Sequence, residues 1–240
     1  AYLACALLTL AFVLLLRRIP PPRAEVALHH KGFLLALRDG FAHVLAVRLL
    51  LLLFVLHIGS IALARPFVEF VPAIVHHGFG GGVKEAGIML SAFGLGAIFG
   101  GLWLAGGEAS RVVLSTVALG AMPVFAGALV GILLSPTLPV AAVFSFAAGI
   151  GMITRGGAIQ SILQLECHPM YRGRVVALHG VTFEVGCIAG ALFIGQTAKA
   201  ASLHIALGTC VVLLLAMWLW IREPLMAAAR HEPESGPPQA

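Results

Sequence analysis

Charge is scarce in this sequence. Of 240 residues only 10% are Asp, Glu, Lys or Arg, against about 25% in a soluble domain. Aspartate occurs once, at Asp39. A membrane enzyme needs a polar constellation, and there is no His-Glu-x-x-His, Gly-x-Ser-x-Gly or Gly-Lys-Ser/Thr phosphate loop. No pore motif recurs, which disfavours a channel. The four cysteines (Cys5, Cys167, Cys187, Cys210) have no metal or disulfide spacing. His29-His30 and His76-His77 lack carboxylate or Cys partners nearby, so neither a metal nor another cofactor is implied. The net charge of +5 comes from basic residues at the ends of apolar runs rather than from a patch, which excludes nucleic acid as a partner.

What fills the sequence instead is apolar, at 60% of residues, and the expected fold class is all-α, a polytopic membrane helical bundle. A clear case is Ala86 to Gly107, which carries no charge. At ~1.5 Å per residue it covers about 33 Å, enough for a hydrocarbon core of ~30 Å. Gly94, Gly96 and Gly100 fall inside it, with Gly96 and Gly100 four apart on one face. In lipid such a stripe lets a second helix approach closely, so these glycines are expected to pack against a neighbour.

Residues 1–16 read as the end of a span whose start is missing, stopped by Arg17-Arg18 and by Pro20-Pro21-Pro22. The chain therefore reads as a piece of a longer membrane protein. Residues 17–44 read as a linker, with Phe33, Leu34, Leu37, Phe41 and Val44 at the spacing of an amphipathic helix on the membrane surface. Residues 45–221 hold six spans: Leu45 to Val75, the run after Ala86, two spans divided by Ser135-Pro136-Thr137-Leu138-Pro139, then Val175 to Ala198 and Leu203 to Ile221. Gly127 and Gly131 repeat the small-residue spacing in the span before that division. His76 to Gly82 and Glu166 to Arg174 read as loops, and residues 222–240 as a disordered tail. Eleven Lys and Arg fall on one side of this arrangement and two on the other, counting Lys84 and Lys199 as the two. The bias puts the linker, the Glu108–Arg111 turn, the Arg172–Arg174 loop and the C-terminus in the cytoplasm.

An internal echo links the halves of the six-span region. Gly96 and Gly100 recur as Gly186 and Gly190 within similar apolar neighbours. The two runs lie in the middle helix of each set of three and run in opposite directions, as in a three-plus-three inverted repeat.

Four stretches together resemble a known family: Leu37-Arg38-Asp39-Gly40-Phe41, Arg65-Pro66 with Phe70-Val71-Pro72, Ser91 to Gly101, and Gln164 with Pro169 and Arg172-Gly173-Arg174-Val175. The chain resembles the C-terminal half of a major facilitator superfamily transporter. The branch it is similar to is the bacterial exporter-like one, with siderophore (enterobactin-type) and drug efflux permeases. The resemblance implies the superfamily fold, residues 1–16 as the sixth of twelve helices, and a missing N-terminal half as partner. It also implies a multi-pass protein of the bacterial inner membrane that exports a small molecule in exchange for protons. The turn at Gly106 to Arg111 departs from the family pattern, with no Asp and one Arg, which weakens charge-controlled gating there. A transport-inactive scaffold or receptor, or a truncated half-transporter, is the alternative.

Ionisable groups inside a bilayer are costly and are functional candidates by default. Arg155 and Glu184 have similar expected depth on consecutive antiparallel helices and are expected to face inward and to pair. One reading is substrate recognition or a protonation step; the other is a static pair locking two helices. Gln160 and Gln164 either bind polar substrate or hydrogen-bond neighbouring helices. Arg65 and Glu69, four apart, form either an outer gate or a same-helix pair. His57, near mid-depth, is either a titrating group or a packed neutral histidine.

Overall fold

The computed structural model describes residues 9–15, 33–107, 110–167 and 169–230. The chain divides into two units, residues 1–33 and 34–240. In the first, residues 9–15 are helical (α1); the rest of the expected first span, and most of the linker, lies outside the described residues. The second unit contains α2 (Phe33–Ala46), α3 (Arg48–Ala64), α4 (Pro66–Phe79), α5 (Val83–Ala105), α6 (Arg111–Leu134), α7 (Leu138–Glu166), α8 (Pro169–Ala200) and α9 (Leu203–Arg230). No strand occurs among the described residues. Among the described residues six helical stretches are long and apolar enough to cross a membrane, with α3 and α4 together making the first. The protein is an all-α polytopic membrane bundle.

The helix ends follow from local chemistry. Ser110 caps α6, its Oγ accepting from the Val113 N–H at 3.3 Å. Gly80 ends α4 in the left-handed region at φ 62°. Its N–H donates to the His76 carbonyl and that of Gly81 to the Val75 carbonyl, so the glycine turn satisfies two carbonyls of the last helical turn. His76 and His77 are thus the last turn of α4, not a loop, because the glycine that stops the helix comes after them. Pro169 opens α8, a favoured proline position. Arg172, Gly173 and Arg174 are therefore in its first turns rather than in the expected loop. α9 runs to Arg230, past the expected start of the tail at residue 222, because Leu225 and Ala229 bury one face of its last turns. α2 docks through Gly40, His43 and Val44 rather than lying free on a surface. The His43 ring stacks on Tyr171 at 4.7 Å, Val44 is buried, and Phe41 is half exposed.

α7 runs through the middle, packed along both α5 and α6; α3 packs on α8 and α9, and α6 on α9. The glycine echo is realised as geometry. A Cβ at Gly96 would overlap the Phe146 carbonyl of α7, and one at Gly100 would come within 3.0 Å of the Ile150 carbonyl. In the second set, a Cβ at Gly186 would meet the Ile58 carbonyl of α3 at 3.4 Å, and one at Gly190 would overlap the Ala62 carbonyl. The glycines are offset by 90 residues (186 − 96 and 190 − 100), and their partners by 88 (146 − 58 and 150 − 62). The second helix of each three crosses the first helix of the other three at matching positions, as an inverted repeat requires.

Gly94 and Gly127 behave otherwise, since a Cβ at either would meet nothing within 4 Å. Gly94 is two residues, about 200° of helix rotation, from Gly96, so it faces away from the α7 crossing. Gly131 does pack, against the Phe144 ring of α7.

Candidate functional site

His57 and Arg155 are buried in the bundle, at 2% and 3% exposure. The α3 turn carrying His57 is followed by Ser60, whose hydroxyl bonds back to the Leu56 and His57 carbonyls and so needs no partner across the interface. His57 meets His179 of α8 with ring centroids 3.8 Å apart and planes at 29°. Phe54 stands edge-on to His179 at 6.4 Å, and Phe183 flanks His57 at 6.3 Å. Arg155, on α7, lies within electrostatic range of His57. Both His57 ring nitrogens, His179 Nε2 and Arg155 Nε are buried without a hydrogen-bond partner. No carboxylate pairs with Arg155 among the described residues.

The repeat shows how unusual this point is. The residues matching His57 and His179 are Ser145 and Met89 (57 + 88 and 179 − 90). There the Ser145 hydroxyl donates to the Met89 carbonyl at 2.9 Å. One crossing is closed by an ordinary hydrogen bond; the other holds two imidazoles with open nitrogens beside a guanidinium.

Glu184 does not join Arg155. It is exposed, and the expected pair is absent for two reasons. α8 lies mainly on α3 and only slightly on α7, so consecutive helices are not close neighbours here. Five residues separate His179 from Glu184, about 140° around the helix, so the side that presents His179 to α3 turns Glu184 away. Glu184 instead shares the surroundings of half-buried Cys187 with Arg65 and Glu69, all of which act on that thiol. Arg65 sits at the break between α3 and α4. No ion pair joins it to Glu69 among the described residues, so neither the expected gate nor the same-helix pair is closed.

Gln160 and Gln164 are exposed and line a separate cleft of about 360 Å³ with Leu104, Gly107 and Ser161. They lie about one and a half and two and a half turns further along α7 from Arg155. Arg111, the first residue of α6, pairs with Glu166, the last of α7, at 3.2 Å. Arg174 lies over the Tyr171 ring at 5.7 Å, and Arg172 is exposed. Burial pushes the Cys167 thiol up to about 11, with Arg172 opposing and Glu166 adding to the shift. Glu108 falls outside the described residues. So does the Asp39 side chain.

The candidate residues thus fall into three groups: His57 with Arg155, Arg65 with Glu69 and Glu184, and Gln160 with Gln164. The sequence reading missed His179 altogether. The pointer to it was a second polar residue inside the apolar run that holds Glu184. No group of three or more His, Cys, Asp or Glu suited to a metal occurs among the described residues.

A family model described as transmembrane secretion effector (MFS_3) matches residues 1–237. No curated protein matches the chain, and no solved structure does.

Proposed function

Because the chain belongs to the transmembrane secretion effector family of major facilitator transporters, we propose that it is a secondary active exporter of a small molecule, driven by proton exchange. It is a multi-pass membrane transporter rather than an enzyme. The observation that carries the finer reading is the set of buried, unpartnered polar atoms on α3, α7 and α8. A bundle that only had to pack would leave no guanidinium and no imidazole pair unsatisfied, since each such group costs stability. Groups that exchange protons or ligands need open valences in at least one state.

In this reading Glu184, the acidic residue midway along α8, carries the exchanged proton. The lysine and arginine distribution supports the α5–α6 turn, the α7–α8 junction and the end of α9 as cytoplasmic, in a bacterial inner membrane. The test is accumulation of candidate drugs, siderophores and metabolites in cells expressing the full-length gene. Expression is expected to lower accumulation of at least one compound, and an uncoupler to restore the empty-vector level. Accumulation lowered equally with and without uncoupler would reject proton coupling.

A further inference from the structure

Arg155 is a permanent cation buried within the bundle. It is 3% exposed, it has no ion pair among the described residues, and its Nε donates to nothing. An unpaired buried charge is among the costliest features a protein can carry. No other Lys or Arg is buried among the described residues. His57 of α3 lies within its electrostatic range, and His179 stacks on His57. Neither supplies negative charge. Both instead have open ring nitrogens, which can donate or accept hydrogen bonds. Phe54 and Phe183 flank the imidazole pair.

We infer that Arg155, His57 and His179 form a binding site for a small organic anion, a carboxylate with an apolar body. The guanidinium fork matches the two carboxylate oxygens, the imidazoles donate to the oxygens from the side, and Phe54 and Phe183 flank the apolar part. His179 is half-buried and forms the rim, so the ligand enters past it. The inference rests on the transporter reading for its aqueous route, and it names the substrate class of that transporter.

Benzoate is the probe, with benzamide as its neutral isostere and chloride as an inorganic anion. The measurement is the thermal unfolding midpoint of the full-length protein in detergent. Benzoate is expected to raise the midpoint saturably, and benzamide and chloride at equal concentration to leave it unchanged. Arg155→Gln should abolish the benzoate shift, and Arg155→Lys should keep a weaker one. His179→Ala, at the rim and not in the core, should weaken benzoate binding by about tenfold or more. The inference is overturned if benzoate stabilises no more than benzamide in the unsubstituted protein, a comparison that needs no variant to fold. It is equally overturned if chloride protects as well as benzoate, or if Arg155→Gln retains the shift. Uncoupler-sensitive export without benzoate binding would sink this inference alone. Benzoate binding without uncoupler-sensitive export would instead sink the proton-driven reading.

Discussion

Replacing Gly190 by alanine tests the helix crossing on which the inner site is built. Pro66 has no N–H, so the Ala62 carbonyl four residues earlier loses its helical donor. That carbonyl lies against Gly190 of α8, where an added Cβ would overlap it and come within 2.6 Å of Pro66 Cγ. Neither atom is the free end of a flexible side chain, so relief requires moving α8 off α3. Overpacking of this kind costs about 1–3 kcal/mol, while alanine returns about 1 kcal/mol of helix propensity over glycine. Gly94→Ala receives the same propensity gain without the overlap, since nothing lies within 4 Å of its Cβ. The two variants should therefore differ by about 1–3 kcal/mol, with Gly190→Ala the less stable. For a protein of this size that is a gap of roughly 2–12 °C in unfolding midpoint. Gly96→Ala, the repeat counterpart of Gly186, overlaps the Phe146 carbonyl and should fall on the unstable side too. Thermal unfolding of the three purified variants decides the matter. Equal midpoints for Gly190→Ala and Gly94→Ala would refute the close crossing.

Three further outcomes are expected. Glu184→Gln should abolish uncoupler-sensitive export while leaving membrane insertion and the unfolding midpoint unchanged, because the side chain is exposed; unchanged transport would remove Glu184 from the coupling step. The Arg111–Glu166 pair is largely shielded, with side chains 21% and 14% exposed. A double-mutant cycle of Arg111→Gln and Glu166→Gln should give a coupling of about 1 kcal/mol, and a value near zero would make the pair inert. Burial favours the neutral form of a thiol, and Cys167 is pushed up to about 11. With Cys5, Cys187 and Cys210 changed to serine, maleimide labelling should be nearly absent at pH 7, where a thiolate fraction of about 10⁻⁴ follows from that value. The rate should climb about tenfold per pH unit up to that range. Labelling at pH 7 as fast as an ordinary thiol would contradict the burial of Cys167.

Much of the architecture was written locally. The apolar runs, the Ser135–Pro139 division and the Arg65-Pro66 break are properties of neighbouring residues, because a bilayer demands internally bonded helices of set length. The glycine echo was legible too, since a helix that approaches another closely must be small along one face. Boundaries were less so. His76-His77 and Arg172–Arg174 look like loop on composition, yet capping by Gly80 and initiation by Pro169 keep them helical.

The site was legible only as a list of costly residues. Arg155, His57 and Glu184 stand out because charge and imidazole are rare in apolar spans. Their partners could not be read, because sequence neighbours need not be spatial neighbours. α8 follows α7 in the chain but packs on α3, so His179 meets His57, Arg155 is left without a carboxylate, and Glu184 turns to the exposed side. Sequence alone thus determined the six apolar helices that follow the linker and the spacing of their glycines. Tertiary structure decided which faces of those helices meet, because a helix's rotation about its axis is set by the neighbour it packs against.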